Sequence, residues 1–126
     1  MTNQIELSMQ RKKTWHMYHI PGTGNLNTLK INAIFISAAN SLEHEMEKFK
    51  VCYSLKKEGK DFITEAELNK NSRVDTGIRR DVVCLDDGFV WEFETEKKKI
   101  DEKKETQKGA KDYDKVNWIW IGKKSD

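Results

Sequence analysis

No stretch of this chain carries the roughly 20 consecutive apolar residues that a membrane-spanning helix needs, so no membrane partner is expected. A secretory leader is missing too: the first residues are polar, and no apolar stretch follows Arg11, Lys12 and Lys13. Cysteine is scarce. Cys52 and Cys84 form no spaced motif and sit among apolar neighbours, which fits two reduced, buried thiols in an intracellular, cytoplasmic protein. Charge imbalance is slight, at a formal net charge of +2, so overall charge does not mark a nucleic-acid binder. The local blocks of lysine and acid say more. Neither an internal repeat nor a long linker interrupts the 126 residues, a length that suits one compact domain.

What is present is a succession of short elements. Residues 1–28 give no clear period: a basic and aromatic stretch, Arg11 to His19, precedes the turn cluster Pro21-Gly22-Thr23-Gly24-Asn25. This segment reads as a hairpin, an arm or an irregular region ahead of a domain over 29–126. Residues 30–36 (KINAIFI) predict a strand. Residues 41–58 predict a helix, capped by Ser41 or by Asn40 with Glu43 and ended by Gly59. Its apolar residues Leu42, Met46, Phe49 and Tyr53 fall at helical spacing. Residues 61–68, 80–85 and 89–95 predict strands, 96–110 a Lys/Glu-rich helix, and 116–121 (VNWIWI) a last strand. The fold class expected is α/β, a central mixed sheet flanked by helices.

The chemistry gathers on one hairpin. Asp86-Asp87-Gly88 lies between two apolar runs, a strong turn signal. With Asp87-Gly88 as a two-residue turn, Asp81 faces Glu94 and Val83 faces Glu92. Side chains alternate along a strand, so Asp81, Glu92 and Glu94 share a face with Val83, Leu85 and Val90. A one-residue slip would separate Asp81 from both glutamates. Three carboxylates on a half-apolar face repel one another. A hard cation such as Mg²⁺, which prefers carboxylate oxygens, relieves that repulsion and can activate water against a phosphate. On the preceding helix, Glu45 falls between Phe49 and Cys52 on the helical wheel, inside the apolar stripe, where an acid needs a partner. The competing account is a solvated hairpin side with scattered acids.

This pattern resembles the PD-(D/E)XK nuclease superfamily, the restriction-endonuclease-like fold, over roughly residues 40–121. Members carry a glutamate on the first helix, an aspartate at a strand start and a (D/E)-x-K triplet on the next strand. The matching residues are Glu45, Asp81 and Glu92-Phe93-Glu94. The chain is also similar to small archaeal nucleases related to Holliday-junction resolvases, through Ser41-Leu42-Glu43-His44, Glu65-Ala66-Glu67, Arg79-Arg80-Asp81-Val82-Val83 and Trp91-Glu92-Phe93-Glu94-Thr95. The resemblance implies a Mg²⁺- or Mn²⁺-dependent endonuclease acting on DNA, working as a homodimer. Asp81 and Glu92, with the Phe93 carbonyl, would hold the metal. Glu94 would orient or deprotonate the attacking water, and Glu45 would support the cluster. One departure stands out: Glu94 occupies the position of the usual lysine, and Lys97 or Lys98 would supply the missing positive charge. An inactive nucleic-acid-binding or regulatory module of the same fold is the alternative.

Other features read two ways. The lysines from Lys97 to Lys111 form a phosphate track or an exposed helix supported by Glu/Lys pairs, with Lys97 and Lys98 the best candidates for DNA contact. Arg79 shares the parity of Asp81 and is a candidate phosphate contact, whereas Arg80 points away and is read as non-catalytic. His16 and His19 have a metal-compatible spacing that is weak alone. Trp118 and Trp120 suit core or dimer packing.

Overall fold

The computed structural model describes residues 3–21, 30–70, 75 and 77–122. The turn cluster after Pro21, and Arg73, lie outside the described residues. Where the sequence suggested a hairpin, an arm or an irregular segment, Gln4–Trp15 form helix α1, capped by Asn3, whose side chain accepts from the Glu6 N–H at 2.8 Å. Tyr18–His19 form a short strand, β1. This segment is bound to the rest of the chain: Arg11 Nε lies 2.8 Å from Asp86 Oδ1 and Arg11 Nη1 3.3 Å from Asp61. Helix α2 spans Leu42–Lys57, with Ser41 capping it through the His44 N–H, as expected. Strands β2 (Phe62–Leu68), β3 (Arg79–Cys84) and β4 (Val90–Glu94) follow, then helix α3 (Lys97–Thr106), a 3₁₀ turn (Tyr113–Lys115) and strand β5 (Val116–Trp120).

The sheet runs β1-β2-β3-β4-β5, antiparallel from β1 to β4 and parallel between β4 and β5. It is therefore the mixed sheet expected, with three α-helices. One core holds Tyr18, Ile63, Leu68, Val83, Leu85 and Val90 on one side of it. The other side packs Phe62, Val82, Cys84 and Phe93 against Cys52 and Leu55 of α2. Both cysteines are buried and unbridged. Among the described residues, no helix is long and apolar enough to cross a membrane.

Three expectations need correction. Residues 30–36 are not a strand. Asn32 takes a left-handed φ of 62°, a conformation asparagine tolerates better than most residues. Beyond it, the Thr64 side chain stands in for a ladder, accepting from Phe35 N–H and donating to the Ala33 carbonyl, each at 3.0 Å. The β3–β4 hairpin turns through a longer loop than Asp87-Gly88: Cys84 N–H donates to the Phe89 carbonyl at 2.8 Å and Gly88 N–H to the Cys84 carbonyl at 2.9 Å. Asp87 Oδ1 accepts from the Phe89 N–H and holds this wider turn. The register is Val82↔Trp91 and Val83↔Val90. Asp81 consequently comes opposite Glu92 rather than Glu94.

The third correction concerns α2, which is turned over. Leu42, Met46, Phe49 and Tyr53 are 71, 50, 53 and 55% exposed. The buried face is His44, Lys48, Cys52 and Leu55. Hydrophobic spacing gave the helix but not its inward side, because the polar residues on that side find partners in the sheet.

Candidate active site

Two backbone irregularities open a cleft in the sheet. Glu65, in the middle of β2, has φ 51°, a strained conformation for a residue with a side chain. It drops out of the β2–β3 pairing, which resumes on either side as Thr64↔Val82 and Ala66↔Arg80. Face alternation slips by one there. Thr64 meets the 30s segment, Glu65 meets Lys48 of α2, and Ala66 returns to the opposite core. Across from it, Asp81 and Val82 both face α2, through His44 and the Cys52–Leu55 cluster respectively. The paired register of β3 and β4 ends at Val82↔Trp91. Asp81 and Glu92 occupy the fork that follows.

The fork leads into a cavity of about 380 Å³ lined by His44, Glu65, Asp81, Glu92, Glu94 and Lys103, with Arg79 and Lys99. Asp81 and Glu92 stand opposite each other across β3 and β4, close enough for each to act on the other's protonation. Burial, then the Asp81 charge, holds the Glu92 pKa well above its ordinary value. Burial acts to raise Asp81 as well, but hydrogen bonds from His44, from Glu92 and from the Phe93 N–H (2.9 Å) lower it on balance. Burial and the Asp81 charge thus favour the protonated form of Glu92, while the bonds to Asp81 favour its ionised form.

Each acid has a cationic neighbour. His44 stands between two carboxylates, with Nε2 3.2 Å from Asp81 Oδ2 and Nδ1 3.0 Å from Glu45 Oε1. Both ring nitrogens thus donate, as in an imidazolium. Burial works against that charge, yet the bonds to Asp81 and Glu45 raise the His44 pKa. Lys48, fully buried, lies 2.6 Å from Glu45 and 3.3 Å from Glu65, and donates to the Phe35 carbonyl at 2.6 Å. Burial raises the Glu65 pKa despite Lys48. Lys103 reaches from α3 to Glu94 at 2.6 Å. Beneath Glu92, the buried Arg80 contacts Glu92 Oε1 at 3.2 Å, Gln107 Oε1 at 2.6 Å and Asp112 at 2.6 and 2.9 Å. Tyr18 donates to the same Asp112 carboxylate at 2.8 Å.

Of the residues singled out from sequence, the fold brings Asp81 and Glu92 together, with Glu94 and Arg79 in the same cavity wall. Glu45 does not line it. Its carboxylate is taken by Asn40, the Ser37 N–H, His44 and Lys48, so it reaches Asp81 only through His44. Lys97 and Lys98 are exposed and outside the lining; Lys99 and Lys103 line the cleft instead. Helical phase explains this, since Lys99 and Lys103 lie one turn apart on one side of α3. Arg80 does point away from Asp81, as expected, but it holds Glu92 from below. His44, Lys48 and Glu65 were not assigned roles from sequence, and Lys103 was read only as one lysine of the block from Lys97 to Lys111. His44, Lys48, Cys52 and Leu55 form a second helical face, which its two polar residues kept from standing out in the sequence.

The donor set suits a hard cation in chemistry. Asp81 and Glu92, opposite each other on β3 and β4, are the residues that would hold a divalent ion, which would favour both in their ionised forms. Among the described residues no group of three or more His, Cys, Asp or Glu is arranged to hold a metal ion. Mg²⁺ commonly takes only one or two carboxylates and completes its shell with waters and substrate phosphate, so the Asp81–Glu92 pair meets its requirement.

Comparison with family models, curated proteins and solved structures finds no match to this chain.

Proposed function

We propose that the cleft hydrolyses DNA phosphodiester bonds as a PD-(D/E)XK-type endonuclease using Mg²⁺ or Mn²⁺. The observation that carries this reading is the contact of Asp81 with Glu92 at the fork of β3 and β4, facing an open cavity. A glutamate-bearing helix, an aspartate on one strand and a Glu-x-Glu on the next also supply the parts that the resemblance requires.

Asp81 and Glu92 would hold the cation, which when bound supplies an activated water and neutralises phosphate charge. His44 fixes the orientation of Asp81, and Glu45 fixes His44. Arg80 and the Phe93 N–H hold Glu92 and Asp81 in place before substrate arrives. Glu94 is the acceptor for a proton from attacking water. Lys103, 2.6 Å from Glu94, brings to the cleft the positive charge that the triplet lacks, and with Arg79 and Lys99 gives cations for the phosphates.

The test is nicking of supercoiled plasmid DNA. Cleavage should require a divalent ion and be lost in Asp81→Asn and in Glu92→Gln, with circular dichroism unchanged. A second reading rests on the charge pairing: each carboxylate of the cleft already has a cationic or hydrogen-bonding partner, which favours a binding module without catalysis. Salt-dependent DNA binding with no cleavage in any divalent ion, and no calorimetric signal for Mn²⁺, would establish that reading and remove the first.

A further inference from the structure

We propose that the outward face of α2 is the interface between two copies of this chain, packed helix against helix in antiparallel fashion about a two-fold axis. Leu42, Met46, Phe49 and Tyr53 form a continuous apolar stripe, each at least half exposed. Phe49 and Tyr53 stack on each other at 6.1 Å. Beside the stripe, Met46, Ile119, Trp120 and Ile121 line a groove between α2 and β5, and Trp120 is 56% exposed. Solvated proteins seldom leave an apolar surface of this continuity uncovered.

The order of residues along the helix selects the occupant. The stripe steps by four, three and four residues, the seam spacing of paired helices. That series reads the same in both directions. Turned end for end, it sets Leu42 against Tyr53 of a second copy and Met46 against Phe49. The charge order agrees. Exposed Glu43 lies in the first turn of α2 and exposed Lys50 two turns later. At about 100° per residue both fall on the same flank of the stripe. In an antiparallel two-fold pair, equivalent flanks face each other. Glu43 of each copy then meets Lys50 of the other, twice per dimer, whereas a parallel pair would turn this flank towards the partner's opposite flank and leave the two charges apart. The inward face, with His44 and Lys48, stays on the sheet, so this association is independent of the hydrolytic reading and leaves the cleft open.

Sedimentation equilibrium of the full chain should give twice the 14.8 kDa monomer mass at tens of micromolar. Phe49→Asp, at an exposed position, should weaken association by at least about 30-fold while circular dichroism stays unchanged. The charge order has its own readout. Glu43→Lys alone and Lys50→Glu alone should each lower dimer content, because each places like charges face to face. Mixed in equal amounts, the two variants should form the heterodimer preferentially, as seen by native mass spectrometry. A chain that stays monomeric up to roughly 200 µM, a dimer indifferent to Phe49→Asp, or statistical mixing of the charge variants would each overturn the proposal.

Discussion

The two faces of α2 reverse the usual distribution. Inward it carries His44 and Lys48, a protonated imidazole and a fully buried ammonium. Outward it shows Leu42, Met46, Phe49 and Tyr53. The inward face is tolerable because the sheet meets it with acids: Asp81 from β3 and Glu65 from β2, with Glu45 of the helix itself closing the set. Burying a charge without such partners costs several kcal/mol. The outward face has no counterpart within the described residues. A helix with charge inside and hydrocarbon outside is one whose position is fixed by a site and by an interface, more than by its own amphipathicity.

The largest effect expected from breaking this contrast is on the inward side. Lys48→Met keeps the length of the side chain but strips Glu65 of its cationic partner 3.3 Å away, and should cost about 3–5 kcal/mol in urea unfolding. Adding Glu65→Gln removes the stranded charge and should recover a substantial part, since neutralising both partners avoids the desolvation penalty. Equal losses in the single and double variants would mean that the ammonium acts through the Phe35 carbonyl and Glu45 alone.

Acidity gives the next effect. The raised pKa of Glu92 comes from burial and then Asp81, and that of Glu65 from burial. Above their ordinary value of 4.5 the unfolded chain releases these protons while the native chain retains them, so stability falls as pH rises through that window. His44, raised on balance by Asp81 and Glu45 against its burial, has the same sign. Its contribution is complete below its ordinary 6.5 and is lost as pH rises through the folded value. Glu45 and Asp81 act oppositely. Burial acts to raise both, but hydrogen bonds, from Lys48 and Asn40 to Glu45 and from His44 and Glu92 to Asp81, lower them, so their stabilisation is lost only as pH falls through those lowered values. Melting in EDTA should therefore occur several degrees lower at about pH 8 than at about pH 5.5. On the proposed metal-dependent reading a divalent ion would displace the Glu92 proton, so millimolar Mg²⁺ should raise the melting temperature more at the higher pH. An Mg²⁺ shift equal at both pH values would remove Glu92 from the ion's neighbours.

Part of this was legible in the amino-acid order and part was not, for physical reasons. Ser41 as a cap, the α2 helix, the β3–β4 hairpin and the placing of Asp81 and Glu92 on its adjacent strands rest on local signals, and these were legible. The register was misjudged by an even number of residues, so it still brought Asp81 and Glu92 together. The slip at Glu65 was not legible, because nothing in Thr-Glu-Ala marks a left-handed residue as glycine or asparagine would. The orientation of α2 was not legible either. Both of its faces have helical spacing, and which one is buried depends on acids supplied by β2 and β3, far away in sequence. Lys103 in place of Lys97 or Lys98 depended likewise on how α3 lies against β4.

The smallest effect expected sets two adjacent residues side by side. Cys52 is fully buried against Leu55, Phe62 and Val82, and burial pushes its thiol up to about 12; its neighbour Tyr53 faces outward. Cys52→Ser puts a hydroxyl into an apolar cluster and should cost about 1–3 kcal/mol. Tyr53→Ser removes an exposed ring that lies against Phe49 and Lys57, and in dilute protein should change stability by no more than about 0.5 kcal/mol. The same Tyr53→Ser chain should lose the rise in melting temperature that a self-associating protein gains with concentration. A large, concentration-independent loss at Tyr53 would mean that the outward stripe packs within a single chain, and the contrast between the two faces of α2 would then be one of depth and not of direction.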